Sequence, residues 1–133
     1  MQNDMLKCAV GVIKNSLNQI LIAKRPVHKA GGGFWEFPGG KIESHETSEQ
    51  ALIRELQEEI GITPTVFDPL LKFPHDYLQY QVFLEVFLIH QFEGEPSGRE
   101  GQPLLWVDIK DLPNYPVLDA NWVIIRELNK YGG

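Results

Sequence analysis

The chain has 133 residues, of which 43% are hydrophobic and 23% charged, with a formal net charge of −6. That length suits one domain with its own core, so a single domain over 1–133 is expected. The acidic balance argues against a nucleic-acid polymer as partner, which wants a basic surface; no run reaches the roughly 18 apolar residues of a membrane helix, and Met1–Lys7 lacks a cationic start before an apolar stretch, which predicts a cytoplasmic protein, monomeric or weakly dimeric.

In chain order, Met5–Asn15 is apolar and β-branched and predicts a strand. Cys8, the one cysteine, excludes an intrachain disulfide and a cysteine-ligated zinc, and is expected to be a buried small hydrophobe. Asn15–Asn18 is a turn cluster and Gln19–Arg25 a second strand; together they predict a hairpin. Pro26–Gly33 reads as a loop and Phe34–Phe37 as a short strand. Pro38 keeps Phe37 extended, and Gly39 and Gly40 permit a sharp bend.

A helix follows. Thr47 or Ser48 can cap it, Thr47 with Gln50 fits a capping box, and Gly61 then Pro64 end it. At about 100° per residue, Leu52, Ile53, Leu56 and Ile60 form a core face. Thr65–Phe73 predicts a strand interrupted at Pro69, and Tyr77–Phe92 a long central strand. Glu93–Pro103 is a loop, Leu104–Ile109 a strand and Asp111–Pro116 a connector. Leu118–Gly133 predicts a last helix capped by Asp119, with Val123, Ile124 and Leu128 on its apolar side. Strands mixed with two helices indicate an α/β sandwich.

Glu55, Glu58 and Glu59 share a separate arc of the first helix, beside Ser48 and Ala51. Glutamates at such spacing repel one another, and near a helix C-terminus the macrodipole disfavours each by about 0.3–1 kcal/mol. A solvated acidic face is the ordinary outcome. Here the helix is amphipathic without these acids, and a glycine-rich bend precedes it. A hard divalent cation resolves the repulsion, since magnesium takes one or two carboxylates together with substrate phosphates. Arg54 can hold one carboxylate bidentately, or simply pair with Glu58 at i, i+4.

Gly40, Glu46, Arg54-Glu55-Leu56, Glu58-Glu59 and Gly61-Ile62 stand at a spacing that resembles the Nudix box of the nucleoside-diphosphate-linked hydrolases. The resemblance implies an α/β/α sandwich with a mixed β-sheet between helices. It also implies magnesium, with manganese as a substitute, and hydrolysis of a nucleotide diphosphate linkage. It makes Glu55, Glu58, Glu59 and the Gly39 carbonyl metal ligands. Lys41 either neutralises phosphate charge or is plain surface.

The likeness extends to the MutT branch through Glu36–Glu43, Arg54–Pro64 and Glu93–Pro103. That branch cuts the mutagenic 8-oxo-dGTP to 8-oxo-dGMP and pyrophosphate and so cleanses the nucleotide pool. By this likeness Glu100 reaches the metal site, and either Glu55 or Glu100 is the general base, with Arg54 supporting catalysis. Asn121 is implied to read the purine, offering both a donor and an acceptor. Arg25 contacts phosphate or base, or is a surface charge. Glu36, Phe37, Pro38 and Gly39 line the base pocket, Phe37 being equally suited to the core. Tyr77 and Tyr80 lie where the sequence departs from the branch, and Tyr80 is carried as a pocket residue. His45 stands where many members have glycine and is expected to be exposed; the loop that carries His28 departs from the branch, so no substrate contact is assigned to His28. Another Nudix substrate, such as a dinucleoside polyphosphate, ADP-ribose or a capped RNA end, is the alternative. A non-cutting nucleotide sensor is a third reading.

Overall fold

The computed structural model describes residues 5–29, 31–76 and 81–132, with side chains to residue 130. The predicted turn after the first strand forms. Asn15 Oδ1 accepts the Leu17 and Gln19 N–H groups, each at 2.9 Å, and Asn18 adopts φ 63°. The hairpin does not form. Strand β1 (Leu6–Ile13) lies in a four-stranded sheet and β2 (Gln19–Lys24) in a three-stranded one, joined near the turn by a Lys14–Ile20 bridge. Both hydrogen-bonding edges of β1 are taken by other strands, one of them a parallel partner along all of Leu6–Ile13. A near-continuous apolar run is the pattern of a strand covered on both faces, not of a hairpin arm.

After β2, a loop leads to β3 (Trp35–Glu36) and β4 (Gly39–Lys41), then α1 (Ser48–Ile60), β5 (Thr63–Asp76), β6 (Gln81–Glu93), β7 (Leu104–Asp108) and α2 (Asp119–Gly132). The four-stranded order is β4-β1-β6-β5, with β1 and β6 parallel and the rest antiparallel; the smaller sheet runs β3-β2-β7. The long strand is central, as expected. Pro69 kinks β5 without ending it: register shifts fall beside Pro64 and Pro69, and an edge strand tolerates proline. Gly39 and Gly40 form strand β4 rather than a bend. The expected connector winds into a 3₁₀ turn over Ile109–Asn114.

Helix α1 covers one face of the larger sheet, where Ala51, Leu52, Leu56 and Ile60 bury against Ala9, Ile13, Phe87 and Ile89. Helix α2 covers the other, with Ala120, Ile124, Ile125 and Leu128 against Val10, Val12, Leu84 and Val86. This is the implied α/β/α sandwich. Two predicted core positions shift. Small Ala51 faces the sheet while Ile53 is half-buried, and Ile125 takes the place of half-buried Val123. The capping box is complete: Gln50 N–H donates to Thr47 Oγ1 at 3.1 Å, and Thr47 N–H to Gln50 Oε1 at 2.9 Å. Gly61 closes α1 at φ 75°. Ser48 Oγ donates to Glu85 Oε1 on β6 at 2.6 Å, pinning the first turn to the sheet. Asp119 opens α2 within its first turn rather than standing outside it as a cap.

Candidate active site

Strand β4 passes beneath α1 so closely that a Cβ on Gly40 would fall inside the Glu55 carboxylate. A Cβ on Gly39 would strike the Ala9 carbonyl oxygen and lie 2.8 Å from Val10 Cα. Two glycines are therefore required by approach, one to the Glu55 carboxylate and one to the neighbouring strand.

Arg54 organises the acids, although Glu58 is the weaker of its partners. Its Nε and Nη2 grip both oxygens of Glu46 at 2.6 and 2.9 Å, and Nη2 also donates to the Lys41 carbonyl at 3.0 Å. Nη1 reaches Glu55 at 3.0 Å and Glu58 at 3.4 Å. The guanidinium holds the Glu46 carboxyl down to about 2, aided by the Glu43 N–H. The same bond to Glu46 raises the pKa of Arg54 further. Such planar, bidentate contacts are specific to arginine. Arg54→Lys is expected to cut kcat about 10- to 100-fold while leaving a folded chain, as steady-state assays and circular dichroism would show.

Glu59 behaves differently. Burial, then the charges of Glu55 and Glu36, push its carboxyl up to about 8, against a donated Gly39 N–H. The closeness of Glu55 favours the protonated form of Glu59. Glu58 is mostly exposed. Among the described residues, no three carboxylate, histidine or cysteine side chains are gathered for a metal. The structure thus brings two of the three helix acids together. Their hard oxygen donors, with Glu55 also held by Arg54, suit a divalent cation that keeps most of its waters.

On the far side of β4 opens a cavity of about 560 Å³. Cys8, Val10, Leu84 and Ile124 form its apolar wall, and Arg25, Glu36 and Asn121 its polar groups. Cys8 is only half-buried there, and burial raises its thiol pKa. Arg25 Nη1 meets Glu36 Oε1 at 3.2 Å, and burial raises the Glu36 carboxyl despite that partner. Asn121 is 7% exposed; its Oδ1 accepts the Phe37 N–H and its Nδ2 donates to the Leu118 carbonyl, both at 3.3 Å. Trp35 N–H to the Pro116 carbonyl (2.8 Å) and Leu118 N–H to the Trp35 carbonyl (3.2 Å) set the start of α2 beside β3. Phe37 joins the core and also lines the cavity, and the Pro38 carbonyl accepts the Gly11 N–H at 2.8 Å. Tyr77 and Tyr80 lie outside the described residues.

Glu100 stands on the loop after β6, which docks on the C-terminal end of α1 through Ser97 N–H to the Ile60 carbonyl and Arg99 N–H to the Glu59 carbonyl. Its carboxylate meets Lys29 at 3.9 Å. The Lys41 side chain is exposed, as are His28 and His45. Two partners escaped the sequence reading. Glu46 was a motif position without a role, yet it is the main anchor of Arg54; its fixed distance from Arg54 within the box was the available signal. Lys29, on an irregular loop, carried none.

A description of the NUDIX domain matches residues 9–127. The 8-oxo-dGTP diphosphatase of Escherichia coli (strain K12) is 42% identical over 125 residues, 94% of this chain and 97% of that one. The CTP pyrophosphohydrolase of the same strain is 32% identical over 117 residues, 88% and 86% of the two chains. A structure from work on MutT of Aliivibrio salmonicida and Vibrio cholerae superposes with a TM-score of 0.84 at 43% identity, covering 96% of this chain and 100% of that one. No helix among the described residues is long and apolar enough to cross a membrane. With box, fold and match running together over residues 9–127, this chain belongs to the Nudix family.

Proposed function

We propose that this chain hydrolyses 8-oxo-dGTP to 8-oxo-dGMP and pyrophosphate, with magnesium as its natural ion and manganese as a substitute. One observation carries the reading. Glu36, Phe37, Gly39 and Gly40 wall the cavity that holds Asn121, Pro38 lying outside its lining, and at Gly40 the same segment lies against the Glu55 carboxylate. A nucleotide seated there would have its base beside Asn121 and its phosphates over α1. The similarity to an 8-oxo-dGTP diphosphatase over 94% of the chain supports the same substrate.

Glu55 and Glu59 would hold the ion, with Glu58, Glu100 and the Gly39 carbonyl as further oxygen donors. When bound, such an ion neutralises charge on the phosphates and makes water more acidic. The chain's own groups do the rest. Arg54 fixes Glu55 through Nη1 while Glu46 fixes Arg54. Either Glu55 or Glu100 takes the proton from the attacking water. Lys41 at the rim can offset charge on the phosphates. Asn121 retains one lone pair on Oδ1 and one N–H on Nδ2 beyond its two backbone bonds, enough to address one donor and one acceptor on a purine edge. Arg25, held by Glu36, stiffens the opposite wall.

Pyrophosphate release is to be followed with 8-oxo-dGTP, dGTP, CTP and ADP-ribose under magnesium. A clear preference for 8-oxo-dGTP at low concentration is expected; equal turnover of dGTP and 8-oxo-dGTP would sink the assignment. The CTP pyrophosphohydrolase relative makes CTP the competing substrate to include. Asn121→Ala is expected to reduce the preference for the oxidised base about 10-fold, on the scale of one lost hydrogen-bond pair to a buried base edge.

A further inference from the structure

We infer that Lys29 binds the phosphate tail of the incoming nucleotide, and that its contact with Glu100 is a resting position given up when the tail arrives. Lys29 lies on the loop between β2 and β3. Arg25 N–H to the Phe34 carbonyl (2.8 Å) and Gly33 N–H to the Arg25 carbonyl (3.0 Å) close the base of that loop. Across from it, Arg99 N–H bonds the Glu59 carbonyl at 2.9 Å and fixes the loop that carries Glu100 against the end of α1. Two anchored loops are thus joined through their side chains by the contact of Lys29 with Glu100.

Of the other cations near the site, Lys41 is exposed beside Gly40 on β4, and the arginines are held more closely than Lys29. Arg25 holds Glu36 on the cavity wall, Arg54 is shared among Glu46, Glu55, Glu58 and the Lys41 carbonyl, and Arg99 folds over Gly61. Lys29 makes one ion pair, at 3.9 Å, between side chains 47% and 58% exposed. Pairs that open to water hold their partners weakly, by roughly 0–1 kcal/mol. A triphosphate, bearing several charges and many acceptor oxygens, outcompetes a single carboxylate for such an ammonium. The position is also the useful one. Lys29 is close enough for its charge to act on Glu36 in the cavity wall, and Glu36 in turn acts on Glu59. A polyanion entering a site lined by Glu36, Glu55, Glu58, Glu59 and Glu100 meets strong repulsion, and a free cation at the mouth offsets it. Departure of Lys29 leaves Glu100 without its counter-ion at the moment the phosphates are in place.

This inference rests on the pyrophosphate-releasing nucleotide hydrolase reading above, but its test does not depend on which base is preferred. Using whichever triphosphates the unaltered chain turns over, Lys29→Ala is expected to lower kcat/KM about 5- to 10-fold, chiefly through KM. Inhibition by the corresponding monophosphate should change less than about 2-fold, because the base pocket is untouched, and Lys29→Arg should restore most of the loss. Lys110→Ala, on the far side of the molecule, controls for net charge. Calorimetry without metal supplies a second measure with a non-hydrolysable triphosphate analogue. Glu100→Gln should tighten its binding more when Lys29 is present than in the Lys29→Ala background, where only the loss of one repelling charge remains. A drop in kcat with KM unchanged, or equal losses for triphosphate and monophosphate, overturns the inference, as does tighter binding in Glu100→Gln that ignores Lys29. Failure of the base-preference assay would instead be seen in the unaltered chain.

Discussion

Replacing Glu59 with glutamine is expected to lower kcat about a thousandfold with every nucleotide, while making the metal-free protein more stable. On the proposal that Glu55 and Glu59 hold the ion, the rate effect follows from removing one of its two oxygen donors, on the scale of losing a well-placed electrostatic contact to the reacting phosphates. The stability effect has the opposite sign because the folded chain holds Glu59 at about 8, above the ordinary carboxyl value of 4.5. A carboxyl whose pKa is raised on folding contributes its full stability below the unfolded value and loses it as pH climbs through the folded one. Ionised Glu59 is buried beside Glu55 and within the field of Glu36, so the metal-free protein weakens between about pH 5 and 9. Glutamine has no such titration. Melting curves in a chelator should therefore show an advantage for Glu59→Gln that grows across that range and fades below the ordinary carboxyl value. Magnesium should raise the melting temperature of the unaltered chain most at the alkaline end, where no proton need be displaced, and raise that of the variant little. Equal stabilisation of both chains by magnesium would remove Glu59 from the ion's donors.

How the acids were legible and their grouping was not is itself a matter of physics. Helix spacing put Glu55, Glu58 and Glu59 on one arc, and the capping signals at Thr47, Gln50 and Gly61 fixed the ends of that helix. Local chemistry sets such features, and they survive into the fold. Which carboxylates converge is decided by what lies across from them: β4 receives Glu55 at Gly40, the Gly39 N–H donates to Glu59, and Glu58 faces water near Arg54. Arg54 likewise looked like a partner of Glu58 because i, i+4 is the only contact a lone helix offers. Its stronger grip on Glu46 depends on a loop folding back over the helix. The separation of β1 from β2 has the same origin. The turn at Asn15–Asn18 was readable, but the competition between β2 and β6 for the edge of β1 is settled some 70 residues further on, as the parallel pairing of Leu6 with Val82 illustrates. Asn121 was placed in the first turn of the last helix by local signals and given the base by likeness alone, and its burial against the Phe37 N–H comes from the tie between Trp35 and Leu118.

Gly40→Ala and Gly39→Ala, adjacent and chemically identical, are expected to fail in different ways. At Gly40 the added methyl would occupy the place of the Glu55 carboxylate, the far end of a flexible side chain. The helix need not move; Glu55 swings aside and loses Glu59. Activity should fall about 100-fold or more, since a misplacement of about 1 Å at the reacting centre has that effect. The denaturation midpoint should change little. At Gly39 the methyl meets the Ala9 carbonyl and Val10 Cα on β1, main chain locked between β4 and β6. Nothing there can yield without breaking strand pairing, so a loss of about 2–4 kcal/mol is expected, in the range of severe overpacking. Urea unfolding followed by fluorescence, alongside turnover at saturating nucleotide, separates the two outcomes. If Gly40→Ala kept its activity, the carboxylate would have to work from a position other than the one above β4, and the pairing of Glu55 with Glu59 could not be the arrangement that meets the phosphates.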